Sequence, residues 1–140
     1  MKTIIYTSVI ILISIFGNNL HAQEMHTSHH QDYVVLTKKI PQLQPILLTA
    51  EALRKEDGAH HGNFEVIICG SEIGDITDQK KMTGFIQMAE KAGVQLVACG
   101  FSLDKFKVDK SKIPQEIKIV ENGILYNFQL QKKGYKSLSL

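Results

Sequence analysis

From residue 33 onward the chain alternates between two hydrophobic patterns. Tyr33-Val34-Val35-Leu36 is a short β-rich run without polar alternation, as expected of a strand buried on both faces. Pro41 and Pro45 then signal a helix start, where a missing N–H does no harm. Leu43, Ile46, Leu47, Ala50 and Leu53 follow at helical spacing, and Gly58 suits the stop. The cycle repeats. Phe64 to Cys69 reads as a second buried strand running into Gly70. Thr77 or Asp78 is placed to cap a helix with Met82, Phe85, Ile86, Ala89 and Ala92 on its apolar face and Gly93 at its end. Val94 to Cys99 is a third strand, again finishing in Cys-Gly. Ser102 to Lys107 predicts one or two helical turns capped by Ser102, and Pro114 precedes a fourth strand, Ile117 to Val120. Gly123 to Lys132 predicts a helix carrying Ile124, Leu125 and Phe128 on one face, and Gly134 leads into a last short strand, Tyr135 to Leu138. Strand and helix alternate throughout, which predicts an α/β fold of βαβ units around a mainly parallel sheet of five strands. Roughly 110 residues suffice for such a sheet and its core.

The first 32 residues do not share this order. Lys2 precedes an apolar run, Ile4 to Phe16, interrupted only by Thr7, Ser8 and Ser14; Asn18 and Asn19 end it, and Leu20-His21-Ala22-Gln23 offers a cleavage site with a small residue at Ala22. That succession predicts a secretory signal peptide over residues 1–23, its apolar part being short for a membrane span. The competing reading is an uncleaved anchor or a buried helix. Glu24 to Asp32 is polar, His-bearing and without apolar period, and is read as a disordered leader. Residues 33–140 remain as one domain. The expectation is a periplasmic or secreted protein with no membrane attachment after cleavage. Lipidation at the cleavage site is excluded, because no cysteine precedes Cys69.

Charge adds little. Residues 1–23 hold only Lys2 among the charged side chains, so the mature net charge is 15 minus 14, or +1 with His neutral. Nucleic-acid binding wants a concentrated basic face, and the Lys-rich pieces 105–112 and 132–136 are interleaved with apolar and acidic residues, as a solvated surface is. His60 and His61 lie in a Gly-flanked loop and His26, His29 and His30 in the leader; neither arrangement has the fixed geometry of a metal centre, so no metal or other cofactor is expected. The scattered acids Asp75, Asp78, Glu90, Asp104 and Glu121 form no acid/base pair, and Gly70-Ser71-Glu72-Ile73-Gly74 is too short, and lacks the lysine, for a phosphate loop. Phe85, Phe101, Phe106 and Phe128 are expected in the core or a subunit interface.

The chemistry therefore falls to the cysteines. In parallel α/β sheets reactive groups collect at the carboxyl ends of strands, where both Cys69 and Cys99 stand, each followed by glycine. Cys99 is the better candidate. It leads through Gly100 and Phe101 into the helix expected at Ser102, and a thiol before a helix N-terminus meets unpaired N–H groups that favour the thiolate. Lys105 is a candidate neighbouring cation, and Cys69, Gly70, Ser71, Gly100, Phe101 and Ser102 are candidates for the pocket wall. A thiolate can attack a sulfane sulfur and carry it as a persulfide. The plainer account, a small buried hydrophobe at a strand end, stands beside this one.

The stretch Val94-Gln95-Leu96-Val97-Ala98-Cys99-Gly100-Phe101-Ser102-Leu103 resembles the DsrE-like pattern of an apolar strand ending in Cys, a small residue, then Ser/Thr-Leu/Met. Ile117 to Ile124 is similar to that family's strand-turn-helix, Leu130-Gln131-Lys132-Lys133-Gly134-Tyr135 to its closing segment, and Phe64 to Gly70 to its second strand, where relatives often have His-Gly. The likeness spans about residues 33–138. It implies a three-layer α/β/α sandwich, homo-oligomers (often trimers or hexamers), and a persulfide-carrying cysteine at the position of Cys99, served by sulfur donor and acceptor proteins. Cys69 inherits no role. The relay members work in the cytoplasm, whereas this chain is expected to be exported. Three readings result: a sulfane-sulfur carrier or sulfurtransferase-type protein acting through Cys99; a non-catalytic oligomeric module binding a small ligand or metal, with Cys69 and Cys99 buried or disulfide-linked; and a plain oligomeric structural domain.

Overall fold

A computed structural model describes residues 30–140. The expected signal peptide and most of the expected leader lie outside the described residues. Five strands, β1 (Gln31–Thr37), β2 (His61–Ile68), β3 (Val94–Cys99), β4 (Lys118–Val120) and β5 (Lys136–Ser139), form one sheet in the order β4-β3-β2-β1-β5. Every pairing is parallel. The long helices are α1 (Leu43–Asp57), α2 (Gln79–Ala92) and α4 (Gly123–Lys132); α3 (Gly100–Lys105) is a short helix directly after β3. Helices cover both faces, giving the α/β/α layering expected from the alternation. Among the described residues, no helix is long and apolar enough to cross a membrane.

The central strands read as unbroken apolar runs because both faces are covered. Phe64, Val66 and Ile68 of β2 alternate with Glu65, Ile67 and, just past the strand, Cys69, and all six are buried. α1 buries Leu43, Ile46, Leu47 and Ala50. α2 starts where Asp78 accepts the amide hydrogens of Lys80 and Lys81, and stops at Gly93, whose φ of +71° is open to glycine at little cost. Of the two caps expected there, Asp78 is the one used.

Some boundaries differ from expectation. β1 starts at Gln31, because that residue already pairs with His61 and the Asp32 carboxylate accepts the Asn63 amide at 2.6 Å. Ser102 does not cap the third helix: Cys99 is still extended and the helix begins at once with Gly100. The expected apolar face of α4 points outward. Ile124, Leu125 and Phe128 are 58%, 55% and 58% exposed, whereas α4 buries Gly123, Asn127 and Leu130. At its start α4 approaches the sheet so closely that only a glycine, Gly123, fits beneath it.

Candidate active site

The register brings the cysteines together. Ile68 pairs with Ala98, so Cys69 and Cys99 come next, side by side at the carboxyl ends of β2 and β3. Both are free, and both are buried, with 6% and 3% exposure. Both side chains lie on the face covered by α4. A Cβ placed on Gly123, the first residue of that helix, would meet Cys69 Sγ and Ile67 Cγ2 at 2.8 Å and Cys99 Cβ at 3.0 Å. No side chain fits there.

That approach aims a helix N-terminus at one of the two thiols. Asn122 caps α4, its side-chain oxygen accepting from the amides of Ile124 at 3.0 Å and Leu125 at 3.2 Å. The Gly123 amide is thereby left to donate to Cys99 Sγ at 3.2 Å. In addition, α3 starts immediately after Cys99, so the same residue sits at a second helix start. Burial by itself pushes the Cys99 thiol up. Hydrogen bonds from the Ser102 hydroxyl, the Gly123 and Ser102 amides and Cys69 outweigh it, and the thiol titrates below its ordinary 9.0. Cys69 goes the other way. Burial first, then the charge of Cys99 and their mutual hydrogen bond, push it up to about 12, against a weaker pull from the Lys38 ammonium. Of the two, Cys99 is the thiol that gives up its proton first.

The remaining expected site residues divide. Ser102 is buried and central, though in a different role from the cap expected: its hydroxyl accepts the Gly70 amide at 3.1 Å and bonds to Cys99. Gly100 is pinned against backbone, since a Cβ there would come within 2.8 Å of the Val120 carbonyl oxygen, and the Phe101 amide donates to the Glu121 carbonyl at 2.8 Å. Gly70, at φ +81°, turns the chain out of β2 into a 3-10 segment, Ser71–Thr77, in which Ser71 is exposed. Phe101 is 65% exposed and walls no thiol pocket. Lys105 does not serve the thiols. It sits about 7.5 Å along α3 from Gly100, and its ammonium lies 5.8 Å from the Phe106 ring centroid. Lys38, just past β1, is a nearby cation, but its pull is on Cys69 and not on Cys99.

Sequence reasoning missed Gly123, Asn122 and Lys38, and a polar strut under α4. Glu65, buried on the same face as Cys69, accepts from the Tyr126 hydroxyl at 2.9 Å, which in turn accepts from Lys118 Nζ at 2.8 Å. The strut fixes α4 about one turn beyond Gly123. Asn122-Gly123 after a strand is a cap-and-start signal that points to the first two residues; nothing local marks the others. At the far end of the sheet, Asp57 accepts from Tyr33 at 2.9 Å and lies 3.2 Å from His61 Nδ1, so His61 belongs to a structural clamp. Among the described residues no group of three metal-binding side chains comes together.

Fold and site together define an α/β protein with a closed dithiol at the carboxyl edge of a parallel sheet. The model of the DsrE/DsrF-like family matches residues 56–140, which include both cysteines, and the chain belongs to that family. Two solved structures share the fold. A conserved protein of unknown function from Bacteroides thetaiotaomicron is 18% identical, with 81% of this chain and 98% of that one covered and a TM-score of 0.62. A protein of unknown function from Methanobacterium thermoautotrophicum is 17% identical, with coverages of 78% and 100% and a TM-score of 0.58. No curated protein matches the chain.

Proposed function

We propose that this is an exported sulfane-sulfur carrier, or sulfurtransferase-type protein, that works through Cys99. The observation that carries the reading is the Cys99 sulfur set at the starts of two helices, accepting the Gly123 amide at 3.2 Å, with its thiol held below the ordinary value. In the loading step the Cys99 thiolate attacks the outer sulfur of a donor persulfide, R–S–SH. A Cys99–S–SH bond forms, the donor S–S bond breaks, and the donor leaves as its thiolate R–S⁻. The amides that favour the thiolate are equally placed to receive the negative charge of a bound persulfide anion. Loading needs the first turn of α4 to lift, because Gly123 lies over the sulfurs. The outward Ile124, Leu125 and Phe128, with Leu138 and Leu140 about half exposed at the end of the chain, fit a surface covered by further copies in a homo-oligomer. The apolar run 4–16 and the small residue at Ala22 support export to the periplasm or the exterior.

The reduced protein, exposed to glutathione persulfide, gains the mass of one sulfur on the peptide containing Cys99; Cys99→Ser gains none and keeps the wild-type oligomer. Equal loading of Cys99→Ser would sink the reading. Export is checked separately, by N-terminal sequencing of protein expressed with residues 1–23 intact. The burial of both thiols favours a second reading, a binding module whose cysteines are inert. A cleft of about 530 Å³ lined by Lys38, Ile124, Phe128, Gln131, Ser139 and Leu140 would be its site. It predicts a ligand that co-purifies and no sulfur gained by either thiol.

A further inference from the structure

Sulfur loading at Cys99 leaves Cys69 unused, yet Cys69 is a second thiol within hydrogen-bond reach of Cys99. The two cysteines are consecutive register partners on adjacent parallel strands. Strands lie about 4.8 Å apart, inside the Cα separation of about 4.4–6.8 Å that a disulfide spans. Their side chains share one face of the sheet under Gly123 and hydrogen-bond to each other. We propose that Cys69 is a resolving thiol, which attacks the inner sulfur of a Cys99 persulfide and discharges the carried atom as hydrogen sulfide. The proposal rests on the reading of Cys99 as the carrier.

The step balances without any further reactant: Cys99–S–SH and Cys69–SH give a Cys69–Cys99 disulfide and hydrogen sulfide. The Cys69 Sγ–Cys99 Sγ bond forms while the bond from Cys99 Sγ to the outer sulfur breaks. The outer sulfur is reduced to sulfide, and the two cysteine sulfurs are oxidised to a disulfide. The proton leaves Cys69 and ends on the departing hydrosulfide, a better leaving group than an alkyl thiolate. Loading itself primes the step. In the resting pair the charge of Cys99 is one of the causes that keep Cys69 protonated. Converting that thiolate to a persulfide moves the charge one atom outward and weakens this restraint, while burial, the larger cause, remains. An external dithiol restores the pair afterwards by ordinary thiol–disulfide exchange.

The experiment uses the mature full-length protein, reduced, desalted, and given glutathione persulfide, with intact mass and free sulfide followed after the donor is removed. The wild type is expected to gain one sulfur, then lose it as one sulfide per chain, ending two hydrogens lighter than it began. Cys69→Ser, and Cys69→Ala as a second variant should serine disturb the core, should keep the added sulfur and release sulfide at least roughly tenfold more slowly. A wild type that loads and holds its sulfur overturns the resolving role alone, as does a Cys69 variant that discharges at the wild-type rate. Failure of every form to load overturns the carrier reading and this inference with it.

Discussion

β2 and β3 are neighbours that both run into Cys-Gly, and the two cysteines lie on one face of one sheet, yet their thiols are driven in opposite directions. The difference arises in the segment after each strand. Beyond Cys69, Gly70 turns the chain at φ +81° into the Ser71–Thr77 segment, and among the described residues no amide bonds to that sulfur to offset its burial. Beyond Cys99 the backbone goes straight into α3, and α4, arriving from a distant part of the chain, sets the Gly123 amide on the same sulfur. An identical dipeptide therefore gives a protonated thiol at one strand end and a thiolate-favouring one at the next. The lowering of Cys99 comes jointly from Ser102 in the local α3 and from the Gly123 amide of the distant α4, and the strand confers only the placement.

The widest test of this contrast is stability against pH. Cys69 has its folded value raised from 9.0 to about 12, so its contribution is fully present below 9 and is lost as pH climbs toward 12. Cys99 has its folded value lowered, so its contribution is present above 9 and is lost as pH falls through that lower value. Together they place the pair's largest contribution close to pH 9. On the alkaline side the loss approaches about 1.4 kcal/mol per pH unit, or roughly 4 kcal/mol over the whole interval at most. Urea unfolding at several pH values should show this extra alkaline slope in the wild type and not in Cys69→Ala. Parallel slopes in the two proteins would mean that the thiols are not differentiated.

A narrower test removes the fit on which the contrast depends. Gly123→Ala puts a methyl group against Cys69, Ile67 and Cys99, and the Cys99 Cβ, fixed to its strand, leaves little room for retreat. Overpacking of this kind costs about 1–3 kcal/mol. The helix start is also pushed off Cys99, so the thiolate's ultraviolet absorbance should appear at higher pH than in the wild type. An unchanged titration in a folded Gly123→Ala variant would show that α3 alone holds the Cys99 thiol down.

How far the molecule is legible in its sequence depends on the same distinction between local and distant causes. The five strands, the long helices and the Asp78 and Gly93 caps carry their signals within a few residues, and all are close to where the pattern places them. Cys99 and Cys69 at one sheet edge also follow from strand ends alone. Ser102 reads as a cap because nothing in the sequence says that Gly100 continues directly from strand to helix. Lys105 stands out for its closeness in sequence to Cys99, whereas Lys38, whose charge acts on Cys69, lies far upstream and is brought near by the β1–β2 pairing. The outward side of α4 is legible as an apolar face, but its direction depends on how near Gly123 lets the helix come.

The finest test separates the stability of α4 from its electrostatic action on Cys99. Asn122 accepts two amides of the first turn, and neither of those bonds involves the sulfur. Asn122→Ala should cost about 1 kcal/mol, the usual value of such a cap, and should raise the Cys99 titration slightly by loosening the Gly123 amide. Asn122→Asp keeps an acceptor for the same amides and adds a negative charge at the helix start, which favours the helix by up to about 1 kcal/mol. That same charge opposes a thiolate nearby. The two variants should therefore move stability in opposite directions while both move the Cys99 titration upward, with the aspartate having the larger effect on titration. Thermal unfolding together with thiolate absorbance in both proteins checks this. If Asn122→Asp instead lowers the Cys99 titration, the thiol responds to the rigidity of α4 and not to its field, and the electrostatic account of the Cys-Gly contrast gives way to a mechanical one.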